Sequence, residues 1–109
     1  MTKLASRHCA PRKGPALSRP AVAKLLKDVS KWKADAASQS IRRTFAFEDY
    51  YGTMAFVNAV AWIAHREDHH PDMTVGYNKV GVVFSTHSVG GLSENDFISA
   101  AKIDALGAR

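Results

Sequence analysis

The run from Tyr50 to Asp68, stopped by the pair His70-Pro71, limits the fold of this chain more than any other feature. Glu48 and Asp49 stand just ahead of it, and acids are favourable beside the unsatisfied N–H groups of a helix start. At about 100° per residue, Phe56, Val57, Val60, Ile63 and Ala64 fall on one broad face. Asn58, Trp62, His65 and His69 fall in a narrow sector opposite. Proline disfavours helical geometry in the residue before it, so the helix should end around His69 and leave His70 extended. A large exposed aromatic such as Trp62 usually has a partner, which makes that sector a site wall or an association surface.

The segments on either side follow a different period. Ile41, Phe45 and Phe47 share a face at period two, and so do Met73, Val75 and Tyr77, with a tight turn expected at Asn78-Lys79. Residues 80–86 continue with β-branched and aromatic side chains, so a hairpin ending at His87 is expected. Trp32, between two lysines, could open a further short strand, with turn material over residues 35–40. Two more helices frame these elements. Ser18 and Arg19-Pro20 open one over residues 20–30, with Val22, Leu25, Leu26 and Val29 at helical spacing. Ser93-Glu94-Asn95-Asp96 has the form of a capped start leading into Phe97, Ile98, Ala101, Ile103 and Leu106. The order α-β-β-α-β-β-α predicts an α+β fold, a four-stranded antiparallel sheet with three helices packed on one face.

At 109 residues the chain suits one domain, expected over residues 19–109. No apolar run approaches the ~18 residues of a membrane span, so no membrane partner is expected, and a single cysteine fits a reducing compartment, so a cytoplasmic location is expected. Cys9 is the only cysteine, which excludes an intrachain disulfide and a thiolate metal cluster. The net charge of +5 is uneven: residues 1–33 hold nine Lys or Arg against one acid, and residues 34–109 hold six against nine. That basic third reads as a solvated tail and a helix face rather than a nucleic-acid surface. Residues 1–18 carry Pro11, Gly14 and Pro15 and no sustained apolar period, and are expected to form a disordered basic extension.

Four of the five histidines, His65, His69, His70 and His87, lie within one stretch of the chain. Histidine gives or takes a proton near neutrality, so the cluster points to proton transfer, metal binding or helix-end structure. His65 and His69, four apart on a helix, could chelate zinc with His87 as a third ligand, but the residue after His65 is Arg66 rather than the Glu of the zinc-protease pattern. No metal is expected.

The strings His69-His70-Pro71, Tyr77-Asn78-Lys79-Val80, Ser85-Thr86-His87 and Gly91-Leu92-Ser93-Glu94, with Asp96 following, resemble the signature of the pterin-4a-carbinolamine dehydratases. The resemblance covers residues 20–106. It implies removal of water from a 4a-hydroxytetrahydropterin to give the quinonoid dihydropterin, in recycling of the pterin cofactor of aromatic amino acid hydroxylases. It implies no cofactor of the enzyme's own, a small-molecule pterin substrate, and a homodimer or homotetramer. By the same resemblance His69 and His87 are the acid-base residues and His70 binds and orients the pterin, while Asp68, Ser85 and Thr86 lie against it. Asp96 has two compatible readings, a capping acid for the last helix and a carboxylate that orients a histidine. His65 stands where family members often have an acid, and Met73 where they often have an aromatic, so His65 is a possible supporting residue only. Relatives that act by binding or assembly, one of them as a transcriptional coactivator, make a non-enzymatic module on the same fold the alternative.

Overall fold

The side chains of Ile41, Phe45, Val80, Val82 and Phe84 set the register of the sheet, because all five must face the same way to be buried. In the computed structural model, which describes residues 3–107, they do so. The elements run α1 (Arg19–Leu26), β1 (Lys33–Ala34), β2 (Ile41–Ala46), α2 (Tyr50–Glu67), β3 (Asp72–Val75), β4 (Lys79–Phe84) and α3 (Glu94–Asp104). The strands form one antiparallel sheet in the order β1-β2-β4-β3, with Ile41 opposite Phe84 and Phe45 opposite Val80. The connection through α2 carries the chain from β2 past β4 to β3, so that the second hairpin returns its last strand beside the first. Three helices cover the buried face, and Arg42, Thr44 and Ala46 look out from the other.

The helix starts follow from their caps. The Ser18 side chain accepts from the Ala21 N–H, and the Asp49 carboxylate accepts from the Gly52 N–H at 2.8 Å. Ser93 and Asp96 form a reciprocal capping box at the head of α3. That last helix is buried along most of its length, from Asn95 through Ala101 and again at Ile103, and forms the centre of the core. Trp32 is almost fully enclosed against Phe45 and Phe84, and its indole N–H donates to Asp104 Oδ1 at 2.9 Å, which satisfies the one polar atom it buries. Arg43 donates to the same oxygen at 2.7 Å and lies over the Phe45 ring.

Several boundaries differ from those expected, each for a local reason. The first helix gives way after Leu26 to a 3-10 turn over Lys27–Val29. The hairpin turns at Tyr77-Asn78, one residue earlier than expected, with the Gly76 N–H donating to Lys79 O at 2.8 Å; this pairs Val75 with Val80 and keeps Val80 facing the helices. β4 ends at Phe84, so His87 does not end a strand. It opens a 3-10 turn over His87–Val89, pinched at its base where Thr86 and Gly91 pair. Gly90 closes that turn at φ +68°, a conformation that glycine adopts without strain. Leu106 lies beyond α3 and is exposed.

The N-terminal segment departs furthest from expectation. Residues 1 and 2 lie outside the described residues, but residues 3–18 are laid along the body of the domain rather than free as a disordered extension. Leu4 is buried in the core, Lys102 donates to Ala5 O at 2.9 Å, and the Leu17 N–H donates to Leu92 O at 2.8 Å. Composition misleads here because the segment needs no amphipathic period: Leu4, with Ala5, Cys9 and Leu17 packed at the edge of the core, and hydrogen bonds to its backbone hold it.

Gly91 marks how closely the segment lies. A Cβ on Gly91 would stand 2.8 Å from the Cβ of Ala16. Gly91→Ala should therefore lower stability by about 1 to 3 kcal/mol, as overpacking does, measured by thermal or urea unfolding, and Ala16→Gly in the same chain should restore part of the loss.

Candidate active site

Helix α2 ends on Asp68, which adopts the left-handed conformation at φ 52° and ψ 42°. Its N–H and that of His69 both donate to Ala64 O, which closes the last turn of the helix as the chain turns away. The turn drives the His69 ring inward instead of along the helix face, where it stacks on Phe84 with the planes 12° apart. His69 Nε2 donates to Asp96 Oδ1 at 2.6 Å.

Asp96 is fully buried, and three donors meet on it. Besides His69, the Thr86 hydroxyl donates to Oδ2 at 2.7 Å and the Ser93 N–H to the same oxygen at 3.0 Å. Because Thr86 gives its hydrogen to Asp96, the 2.7 Å contact between Thr86 Oγ1 and Ser93 Oγ must run from Ser93 to Thr86. Ser93 Oγ in turn accepts from the Asn95 N–H. With Nε2 carrying the shared hydrogen, Nδ1 is the nitrogen of neutral His69 that is left with a lone pair.

His70 lies outside the helix, in the connection to β3, and its Nδ1 donates to Pro71 O at 3.1 Å. That bond fixes the tautomer and leaves Nε2 as an acceptor. His87, on its short turn, is exposed. Together with Asp68, Ser85 and Thr86 the three histidines line one cleft of about 680 Å³, within the usual size of a small-molecule site. All six residues expected to act or bind are thus brought together, and Asp96 lies beneath them holding His69. Asp96 fulfils both of its readings at once, cap and histidine partner.

His65 is not in this cleft. Its ring packs at a tilt of 33° against Trp62, and it borders a shallower pocket of about 350 Å³ with His69, His70, Pro71 and Met73. His65 and His69 therefore meet different partners, and among the described residues no three His, Cys, Asp or Glu side chains gather as metal ligands would.

The wall of the cleft also includes residues that the motifs do not contain, because they lie in the segment expected to be disordered. Cys9 to Arg12 border it, tied by two polar side chains of the body. Glu67 Oε1 accepts from the Cys9 N–H at 2.8 Å, and Oε2 accepts from His8 Nδ1 at 3.1 Å. The Asn95 amide bonds Ala10 twice, accepting from its N–H and donating to its carbonyl. Burial would push the Glu67 carboxyl up, but the Cys9 N–H, the His8 bond and the Lys102 charge outweigh it and hold the carboxyl below its usual range. Burial pushes the Cys9 thiol up, which keeps it in the poorly nucleophilic neutral form.

A four-stranded antiparallel sheet carrying three helices, with three histidines lining one cleft and one of them held by a buried acid, defines an α+β protein with a small-molecule-sized site. Comparison with known proteins is consistent with that class. The family model of the pterin 4 alpha carbinolamine dehydratases matches residues 15–106. A protein of Nitrosospira multiformis that carries the name pterin-4-alpha-carbinolamine dehydratase is 56% identical over 94% of this chain and 91% of its own length. One of Stenotrophomonas maltophilia, named likewise, is 58% identical over 94% and 90%. Among solved structures, a transcriptional coactivator/pterin dehydratase from Brucella melitensis superimposes with a TM-score of 0.79 at 31% identity, covering 84% of this chain and 97% of that one. A pterin dehydratase-like protein identified as a RuBisCO assembly factor matches with a TM-score of 0.62 at 26% identity, over 72% of this chain and 93% of that one. The chain belongs to the pterin-4a-carbinolamine dehydratase family.

The Glu67 contact predicts an acid-sensitive N-terminal segment. A carboxyl held low in the folded state contributes stability that is complete above its unfolded pKa of about 4.3 and is lost as pH falls through the folded value. Asp35, held low by the Gln39 N–H, loses stability in the same direction. The difference between wild type and Glu67→Gln isolates the first contribution: melting temperatures from pH 6 down to 3 should fall less steeply in the variant.

Proposed function

We propose that the protein dehydrates a 4a-hydroxytetrahydropterin to the quinonoid dihydropterin and water. In that elimination the C4a–O bond breaks and the hydroxyl leaves as water with one added proton. The adjacent ring nitrogen loses its proton, and its electron pair forms the new carbon–nitrogen double bond. Atoms and charge balance without any change of oxidation state, so a proton donor and a proton acceptor are all that the chemistry requires.

The observation that carries this reading is the convergence of His69, His70 and His87 on one cleft, with His69 held through Nε2 by a buried carboxylate. Asp96 accepts from Nε2 and so orients the His69 ring, leaving Nδ1 to exchange the proton. His87 serves as the opposite partner, acid where His69 is base. His70, locked by its bond to Pro71, offers Nε2 to the pterin, while Asp68, Ser85 and Thr86 supply polar contacts to the ring. The Thr86 hydroxyl gives its hydrogen to Asp96, so its contact with substrate would be as an acceptor or through its backbone. The product would re-enter the pterin cycle of aromatic amino acid hydroxylases, in the cytoplasm.

Names of relatives also support an assembly reading, since one structural neighbour is called a coactivator as well as a dehydratase and another an assembly factor. On this chain the exposed Trp62, 59% accessible on α2, is the surface that such a partner would cover. A homodimer or homotetramer would cover it equally, which light scattering on wild type and Trp62→Ala would separate from a monomer.

Purified protein should accelerate dehydration of a 4a-hydroxytetrahydropterin without added metal, followed by the absorbance of the quinonoid product. His69→Ala and His87→Ala should each cost about 10²-fold or more in kcat, the usual worth of a general acid or base. A wild-type rate no greater than that of buffer would leave the assembly reading in its place.

A further inference from the structure

Residues 9–12 precede the stretch that the family model matches, which begins at residue 15, yet they border the cleft. They are not loosely placed. Four bonds from three different elements hold this strap: Glu67 at the end of α2 takes the Cys9 N–H, Asn95 at the head of α3 brackets Ala10 with two, and Ser88, next to His87, donates to Arg12 O at 3.1 Å. Each anchor is within two residues of a group of the proposed site, respectively His69, Asp96 and His87.

Arg12 is the one side chain of the strap with charge to offer. Its Nε donates to Asn95 Oδ1 at 3.0 Å and Nη1 stands 3.5 Å from Glu94 Oε1, which fixes the guanidinium at the cleft wall. A guanidinium carries five N–H donors, and these two contacts leave others uncommitted. Arginine can only donate, so it cannot receive the amino group or ring N–H of a pterin. It matches an acceptor, either the ring carbonyl or a hydroxyl on the substituent at C6. Asp72, bordering the same cleft on β3 opposite Val83, is suited to the donor edge of the ring.

We infer that the N-terminal strap is a wall of the pterin site and that Arg12 is a substrate-binding residue, donating hydrogen bonds to an acceptor group of the bound pterin. This rests on the pterin reading above. The strap makes the site depend on chain that precedes the family-matched domain, and it ties the position of that wall to both ends of the histidine network.

Titration calorimetry on the full chain tests this without relying on turnover, with two stable 7,8-dihydropterins as probes, one carrying a dihydroxypropyl group at C6 and one a methyl group. Arg12→Ala should weaken binding of the dihydroxypropyl compound by about tenfold or more, the worth of one charge-assisted hydrogen bond, and Arg12→Lys should recover part of the loss. Equal weakening for both probes assigns the ring carbonyl as the acceptor; weakening of the dihydroxypropyl compound alone assigns the substituent. Arg7→Ala serves as the control, because Arg7 also pairs with Glu94, at 2.9 Å, but does not border the cleft, and its affinity should match wild type. Wild-type affinity in Arg12→Ala, or an equal loss in Arg7→Ala, overturns the role of Arg12 while leaving the pterin site standing. Failure of wild type to bind either probe overturns the pterin reading and this inference with it.

Discussion

The carboxylate of Asp96 is the point on which the structure turns. It is wholly buried, and a buried carboxylate is tolerated only when donors replace the water it has lost. The three donors come from three elements: Ser93 at the start of α3, Thr86 just past the end of β4, and His69 just past the end of α2. Satisfying one side chain therefore fixes where a helix begins, where a strand connection goes and which nitrogen of a histidine is free. Fold and chemistry share a single set of hydrogen bonds here, so neither can be altered alone.

The elements were legible in the sequence wherever a period persisted. The α2 pattern, the alternation of Ile41 and Phe45, and the Ser93 capping signal all describe local choices that the tertiary structure keeps. Boundaries were legible only to within a residue or two, because they depend on register: the turn at Tyr77-Asn78 is placed by burial of Val80 and Val82 across the sheet, which no local signal contains. His87 illustrates the same limit. Its strand patterning is continuous with β4, and the pairing of Thr86 with Gly91 takes it out of the sheet.

The site was legible to a different degree on its two sides. His69, His70, Ser85, Thr86 and His87 were found by spacing and resemblance, and they share one cleft. The wall formed by residues 9–12 was not, because Cys9 and Ala10 are held largely through backbone N–H and carbonyl groups, and a backbone hydrogen bond leaves no mark on residue choice. Glu67 and Asn95 carry the complementary signal, yet each reads equally well as an ordinary surface residue of a helix end until its partner is known.

The left-handed turn at Asp68 has a thermodynamic meaning beyond its geometry. Glu67 and His69 flank it, one gripping the strap and the other reaching Asp96. A residue other than glycine holds that conformation at a cost of about 1 kcal/mol, sustained only while its surroundings oppose relaxation. If the last turn of α2 frays, both grips open in the same event. Fraying of α2 would thus couple release of His69 to loss of the Cys9 anchor, while Asn95 and Ser88 still hold Ala10 and Arg12.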